Sequence, residues 1–167
     1  MENTPDRYIE RLLEISGKKY KLLQEMRALT REQSQNLNED GAETLQRCVA
    51  EKQKRIDAIN KADEEFDVYY QRFKQKLNIK ELGELKKSGA AGSLDTKSVK
   101  DLQELIQSIT EIVKEIYDIE KRNNEKANEL LGVLANEVKK INQSKKINSA
   151  YRFGSYKSPS YFIDKKK

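Results

Sequence analysis

Between residues 45 and 77 the chain sets Leu45, Val49, Lys52, Ile56, Ile59, Asp63, Phe66, Tyr70, Phe73 and Leu77 at alternating steps of four and three, without a slip. Such a period belongs to a helix that buries one narrow seam against other helices, because a strand would alternate at every second residue. A seam this long constrains the chain to a coiled-coil-like packing of helices. Lys52 is a polar interruption of this seam.

The flanking segments provide the other helices. Upstream, Tyr8, Leu12, Ile15, Leu22, Met26 and Leu29 recur at helical spacing after Pro5 and Asp6, which predicts a first helix over about 6–37 with Gly17 as a soft spot inside it. The run NEDGAE breaks that helix, and Asp40 with Glu43 has the spacing of a capping box at the start of a second helix over about 42–78. Gly83, Gly89 and Gly92, with the small residues among them, predict a flexible linker over about 79–95. A third helix over about 96–143 follows. Its seam is Val99, Leu102, Ile106, Ile109, Val113, Ile116, Glu120, Asn123, Ala127, Leu130, Leu134, Val138 and Ile141, and Leu105, Ile112 and Ile119 widen the stripe as contact with two neighbours requires. The expected fold class is all-α: an elongated antiparallel bundle of three long helices, coiled-coil-like, over residues 1–146, with an irregular C-terminal tail at 147–167.

Composition narrows the function classes. With 37% charged residues and a mean hydropathy of -0.92, the chain has too little apolar material for a broad core, but enough for a seam. No run reaches the roughly 18 apolar residues of a membrane span. The N-terminus MENTPDRYIE lacks the basic and apolar regions of a signal peptide, so the expected location is the cytoplasm. The chain has no histidine and a single cysteine, Cys48. An internal disulfide is therefore excluded and no metal site is expected; Cys48 reads as a small core or flank residue. Without a histidine or a glycine-rich phosphate loop, the abundant carboxylates read as solvated helix faces, so neither an enzyme nor a cofactor is expected.

The tail, INSAYRFGSYKSPSYFIDKKK, departs from this pattern. Tyr151, Phe153, Tyr156, Tyr161 and Phe162 are five of the twelve Phe and Tyr, set among Gly154, Pro159 and serines that oppose a helix. Residues 139–167 hold nine Lys or Arg against the single Asp164, a local charge of +8, and leave 24 basic against 27 acidic residues elsewhere. A basic tail on a slightly acidic bundle is not the continuous basic face of a duplex-binding domain, and any nucleic-acid contact would fall to the tail rings stacking on single-stranded bases.

Helix lengths single out a second feature. If the second and third helices leave their linker together, Lys52 falls opposite Glu120, and the second helix runs out opposite residue 130. Leu131, Leu134, Val138 and Ile141 then extend past their intramolecular partner, as a protein-binding strip would. A homodimer, or the tail folded back, would be other ways to cover them. The candidate partner-binding set is therefore Leu131, Leu134, Val138 and Ile141 with the five tail rings.

The succession of RYIERLLEISGKKYKLLQEM, LQRCVAEKQKRIDAINKADEEF, a mid-chain linker, a long third helix and a tyrosine-containing tail ending IDKKK resembles flagellar export chaperones of the FlgN type over nearly the whole chain. The resemblance implies a cytoplasmic chaperone that binds terminal helical segments of the hook-associated proteins of the hook-filament junction before type III export, with the export gate as a further contact. It also implies that the C-terminal part engages the client. A structural coiled-coil scaffold and a single-strand nucleic-acid binder are the alternative readings of the residues.

Overall fold

The computed structural model describes residues 4–84 and 95–145. Among them lie three α-helices and one short 3-10 turn: α1, Pro5–Gln35; α2, Ala42–Leu77; the turn, Leu82–Glu84; and α3, Thr96–Lys145. The all-α class expected from the seams is the class found.

Each boundary has a local cause. Thr4 caps α1: its carbonyl accepts from the N–H of Arg7 at 3.1 Å and of Tyr8 at 3.2 Å, and Pro5 takes the first helical position, where a missing N–H costs nothing. Asp95 caps α3, its carboxylate accepting from the Lys97 N–H at 3.1 Å and the Ser98 hydroxyl at 2.8 Å. Those bonds hold the Asp95 carboxyl below the ordinary range, the Ser98 bond most of all. The start of α2 differs from the expected capping box. Its cap is Gly41, whose carbonyl accepts the first helical bond from Leu45 at 2.9 Å. A Cβ at Gly41 would lie 1.8 Å from the Asn36 carbonyl oxygen, so close a return of the chain onto the end of α1 admits only glycine.

α2 ends in a Schellman motif. Asn78 adopts a φ of 52°, its N–H donates to Gln75 O at 3.2 Å, and the Ile79 N–H donates to Lys74 O at 3.0 Å. The left-handed residue turns the chain back, so that Ile79 and Leu82 are buried in one cluster with Phe73. The linker expected from residue 79 thus begins as packed chain through Glu84; its remainder, 85–94, lies outside the described residues, as does the tail from 146.

The chain forms two compact units. The first, Met1–Met26 with Gln53–Val113, is built on the buried cluster of Tyr8, Ile9, Leu12, Phe73, Ile79, Leu82 and Leu102. Aromatic pairs Tyr8–Tyr69 and Phe66–Tyr70 border it at 6.3 and 5.5 Å. Arg11 bonds Glu65 at 2.6 Å and Lys19 bonds the seam residue Asp63 at 2.5 Å, which sets α1 and α2 antiparallel. The second unit, Arg27–Lys52 with Lys114–Lys167, buries Leu37, Cys48, Ile116, Ile119 and Ala127 together with the polar Thr30, Gln33, Lys52, Glu120 and Asn123.

Burial corrects the seams by single residues. Along α1 and just past its end, Ile9, Leu12, Ser16, Lys19, Leu23, Met26, Thr30, Gln33 and Leu37 face inward in an unbroken alternation of three and four; the expected Tyr8 and Ile15 are buried beside this row, whereas Leu22 and Leu29 are only half-buried. In α2, Cys48 is buried and the expected Val49 is 38% exposed; in α3, the expected Ile106 is 37% exposed.

The left-handed C-cap gives a stability prediction. Replacing Asn78 with Ala should lower unfolding free energy by about 1 kcal/mol, because a Cβ without a compensating polar group disfavours positive φ, whereas Asn78→Gly should hold the parent value or exceed it. Urea midpoints of the two variants check this, and equal losses would show that the amide, not the φ, matters.

Candidate partner-binding face

The second unit is organised around two buried polar layers. In the first, the Lys52 ammonium, itself 0% exposed, donates to Gln33 Oε1 at 2.8 Å and to the Glu120 carboxylate. This is the pairing of Lys52 with Glu120 that the helix lengths implied. Burial pushes the Lys52 amine below its usual range while Glu120 pulls it back. In the second layer, Asn123 Nδ2 donates to Thr30 O at 3.0 Å and Asn123 Oδ1 accepts from the Ser34 hydroxyl at 2.6 Å. Cys48 lies in the same interior, where burial raises its thiol pKa.

Beyond these layers the burial of α3 falls away. Ala127, at 6% exposure, is the last buried residue of the helix among those described. Leu130, Leu131, Leu134 and Val138 are half-buried, and Ile141 is 49% exposed. The steps of three and four place these side chains along one side of α3. Val133, 54% exposed and absent from the sequence-derived set, adds apolar surface on the flank of that strip. Tyr151, Phe153, Tyr156, Tyr161 and Phe162 lie outside the described residues.

A cleft of about 400 Å³ opens where α1 and α3 meet in this unit, lined by Arg31, Ser34, Glu115, Ile119, Arg122, Asn123 and Lys126. Glu115 accepts from Arg27 at 2.8 Å and from Arg31, and the Arg27 bond above all holds its carboxyl below the ordinary range. Sequence reading missed the cleft because its two walls are far apart in the chain and no motif links them.

The model of the family described as FlgN protein matches residues 1–154, and the chain belongs to the FlgN family. That family is one of flagellar export chaperones, and its members bind flagellar proteins. No curated protein and no solved structure matches the chain. Among the described residues no group of three or more His, Cys, Asp or Glu side chains could hold a metal, and no helix is long and apolar enough to cross a membrane.

The Lys52 layer predicts an asymmetric response to mutation. Glu120→Leu alone leaves a buried ammonium short of its counter-charge and should destabilise by about 3–5 kcal/mol, whereas the double variant Lys52→Met/Glu120→Leu should recover most or all of that loss. Thermal unfolding of the parent, both singles and the double decides the matter. Additive losses would mean that the two residues do not act as a pair.

Proposed function

We propose that the chain is a cytoplasmic chaperone for hook-associated proteins of the hook-filament junction, holding their terminal helical segments before type III export. The observation that carries the reading is the change along α3, where burial ends at Ala127 and the helix continues to Lys145 with Leu131, Leu134 and Val138 half-buried and Ile141 exposed. A junction-protein terminus that forms an amphipathic helix would otherwise assemble too early. Laid along α3, its apolar positions at i, i+3, i+4 and i+7 enter the strip and are kept from one another.

The tail follows from α3 and carries rings on a basic stretch. In this reading Tyr151, Phe153, Tyr156, Tyr161 and Phe162 supply anchor contacts to the client or to the export gate, since aromatic side chains give large contact area for little rotamer entropy. The family assignment supports the general class, a chaperone of flagellar export, and the placing of apolar surface supports the helix-binding mode.

Two variants test the reading. Leu134→Asp/Val138→Asp should abolish measurable binding of a hook-associated protein's terminal segment while leaving helicity unchanged. Replacing the five tail rings with Ser, with every Lys and Arg kept, should weaken binding by more than about 1.4 kcal/mol, a tenfold change in Kd. Deleting residues 148–167 should leave thermal unfolding nearly unchanged. Calorimetry on the purified chain reports the affinities; concentration-dependent oligomerisation of a chain that takes up no client would instead identify a scaffold.

A further inference from the structure

The cleft between α1 and α3 of the second unit has more positive charge than it uses. Three of its lining residues, Arg31, Arg122 and Lys126, are cations, against one carboxylate, Glu115. Glu115 is already shared between Arg31 and Arg27. Arg122 and Lys126 are exposed, and among the described residues neither meets a carboxylate. Long helices rich in Glu and Lys usually balance such cations through pairs three or four residues apart. Here Asp118, four residues before Arg122, and Glu125 and Glu129, three residues after Arg122 and Lys126, lie at that spacing but form no ion pair with them among the described residues.

The floor of the cleft is not that of a simple ion-binding surface. Ile119 is 7% exposed and Asn123, at 7%, is fixed by its bonds to Thr30 and Ser34. An apolar and hydrogen-bonded floor under a cationic rim fits a folded peptide with acidic side chains better than a nucleic-acid backbone, which needs a continuous basic track. The cleft also runs into the apolar strip. From Arg122 and Lys126 the same side of α3 proceeds in steps of four, three, four and four through Leu130, Val133, Glu137 and Ile141.

We infer that this cleft receives acidic side chains of the client's helical segment, so that the chain selects segments in which a group of Asp or Glu adjoins the apolar stripe. The inference rests on the chaperone reading above. It adds a polarity to that reading: the acidic end of the segment lies toward Arg31, Arg122 and Lys126, and the apolar end toward Val138 and Ile141. A segment laid in the reverse direction would bring its carboxylates to the apolar end of the strip and leave the cations without counter-charge. Charge complementarity of this kind speeds encounter and rejects the wrong orientation more than it deepens affinity.

The experiment is a charge cycle on the full chain, with synthetic terminal segments of the organism's own hook-associated proteins as probes. Arg122→Glu/Lys126→Glu should weaken binding of the acidic segment by at least about tenfold at low salt, the order of effect for close charge pairs at interfaces. Parent binding should weaken as salt rises and variant binding should not. The same segment with its Asp and Glu converted to Asn and Gln should bind parent and variant alike. Because both substituted residues are exposed, circular dichroism and thermal unfolding should match the parent. Loss of binding in Leu134→Asp/Val138→Asp with normal binding in the charge variant would overturn this inference and leave the chaperone reading standing. No binding by the parent would overturn both, and tight binding of single-stranded oligonucleotides abolished by the charge variant would assign the cleft to nucleic acid instead.

Discussion

The contact between the Lys52 ammonium and the Glu120 carboxylate, completed by the Gln33 amide oxygen, sets the layer on which the second unit depends. Such a pair adds little net stability, since desolvating two charges roughly offsets their attraction. Its leverage is against alternatives. Cys48 and Ile56 lie one turn to either side of Lys52 on α2, and Ile116 and Asn123 flank Glu120 on α3. A slip of one turn, about 5.4 Å, would press a lone charge against Ile116 or Cys48. With that slip forbidden, the position of Ala127 as the last buried residue of α3 is fixed too, and with it the start of the half-buried strip. A polar layer therefore decides where the proposed partner-binding face begins.

The two units hold themselves together by different means. The first has a buried cluster of aliphatic and aromatic side chains, reinforced by Ile79 and Leu82 after the Asn78 turn. The second buries five polar residues, Thr30, Gln33, Lys52, Glu120 and Asn123, in a narrower apolar setting. Hydrogen bonds among them give about 0.5–1.5 kcal/mol net each, less than full burial of a large apolar side chain. What they add is geometry: each layer accepts one alignment of the three helices. A site on α3 beside those layers is positioned accurately without demanding that its unit be the most stable part of the chain.

Much of this was legible in the sequence, because the period of a seam survives single exceptions. The ten-position seam of α2 and the long seam of α3 were enough for the helix count and the pairing of Lys52 with Glu120. The errors have a common origin. In α1 the inward row contains Ser16, Lys19, Thr30 and Gln33, so a search for apolar residues moves to Leu22 and Leu29, one position off the true row. Cys48 displaced Val49 for the same reason: in steps of four, Cys48, Lys52 and Ile56 lie one above another, and a small thiol fills that row. The packed start of the linker was hidden by its composition, since only the φ of Asn78 reveals that Ile79 and Leu82 turn back onto Phe73. The cationic cleft was illegible in principle, because it exists only once α1 and α3 are side by side.

A chaperone for export must hold its client and then release it, which limits how much new surface it can bury. Leu130, Leu131, Leu134 and Val138 are already half-buried in the free chain, so a client helix laid on them as proposed would remove only the remaining part of their surface from water, at roughly 25 cal/mol per Å². Ordering a disordered client segment opposes that gain by about 2–5 kcal/mol. The surplus is accordingly modest, and modest affinity suits a hand-over. Orientation then has to come from terms that discriminate without adding much binding energy. An exposed cationic rim does this, because its charges interact with solvent until the client arrives and are screened again when it leaves. On the proposed reading, the apolar strip sets how tightly a segment is held, and the rim of the adjoining cleft sets which way round it lies.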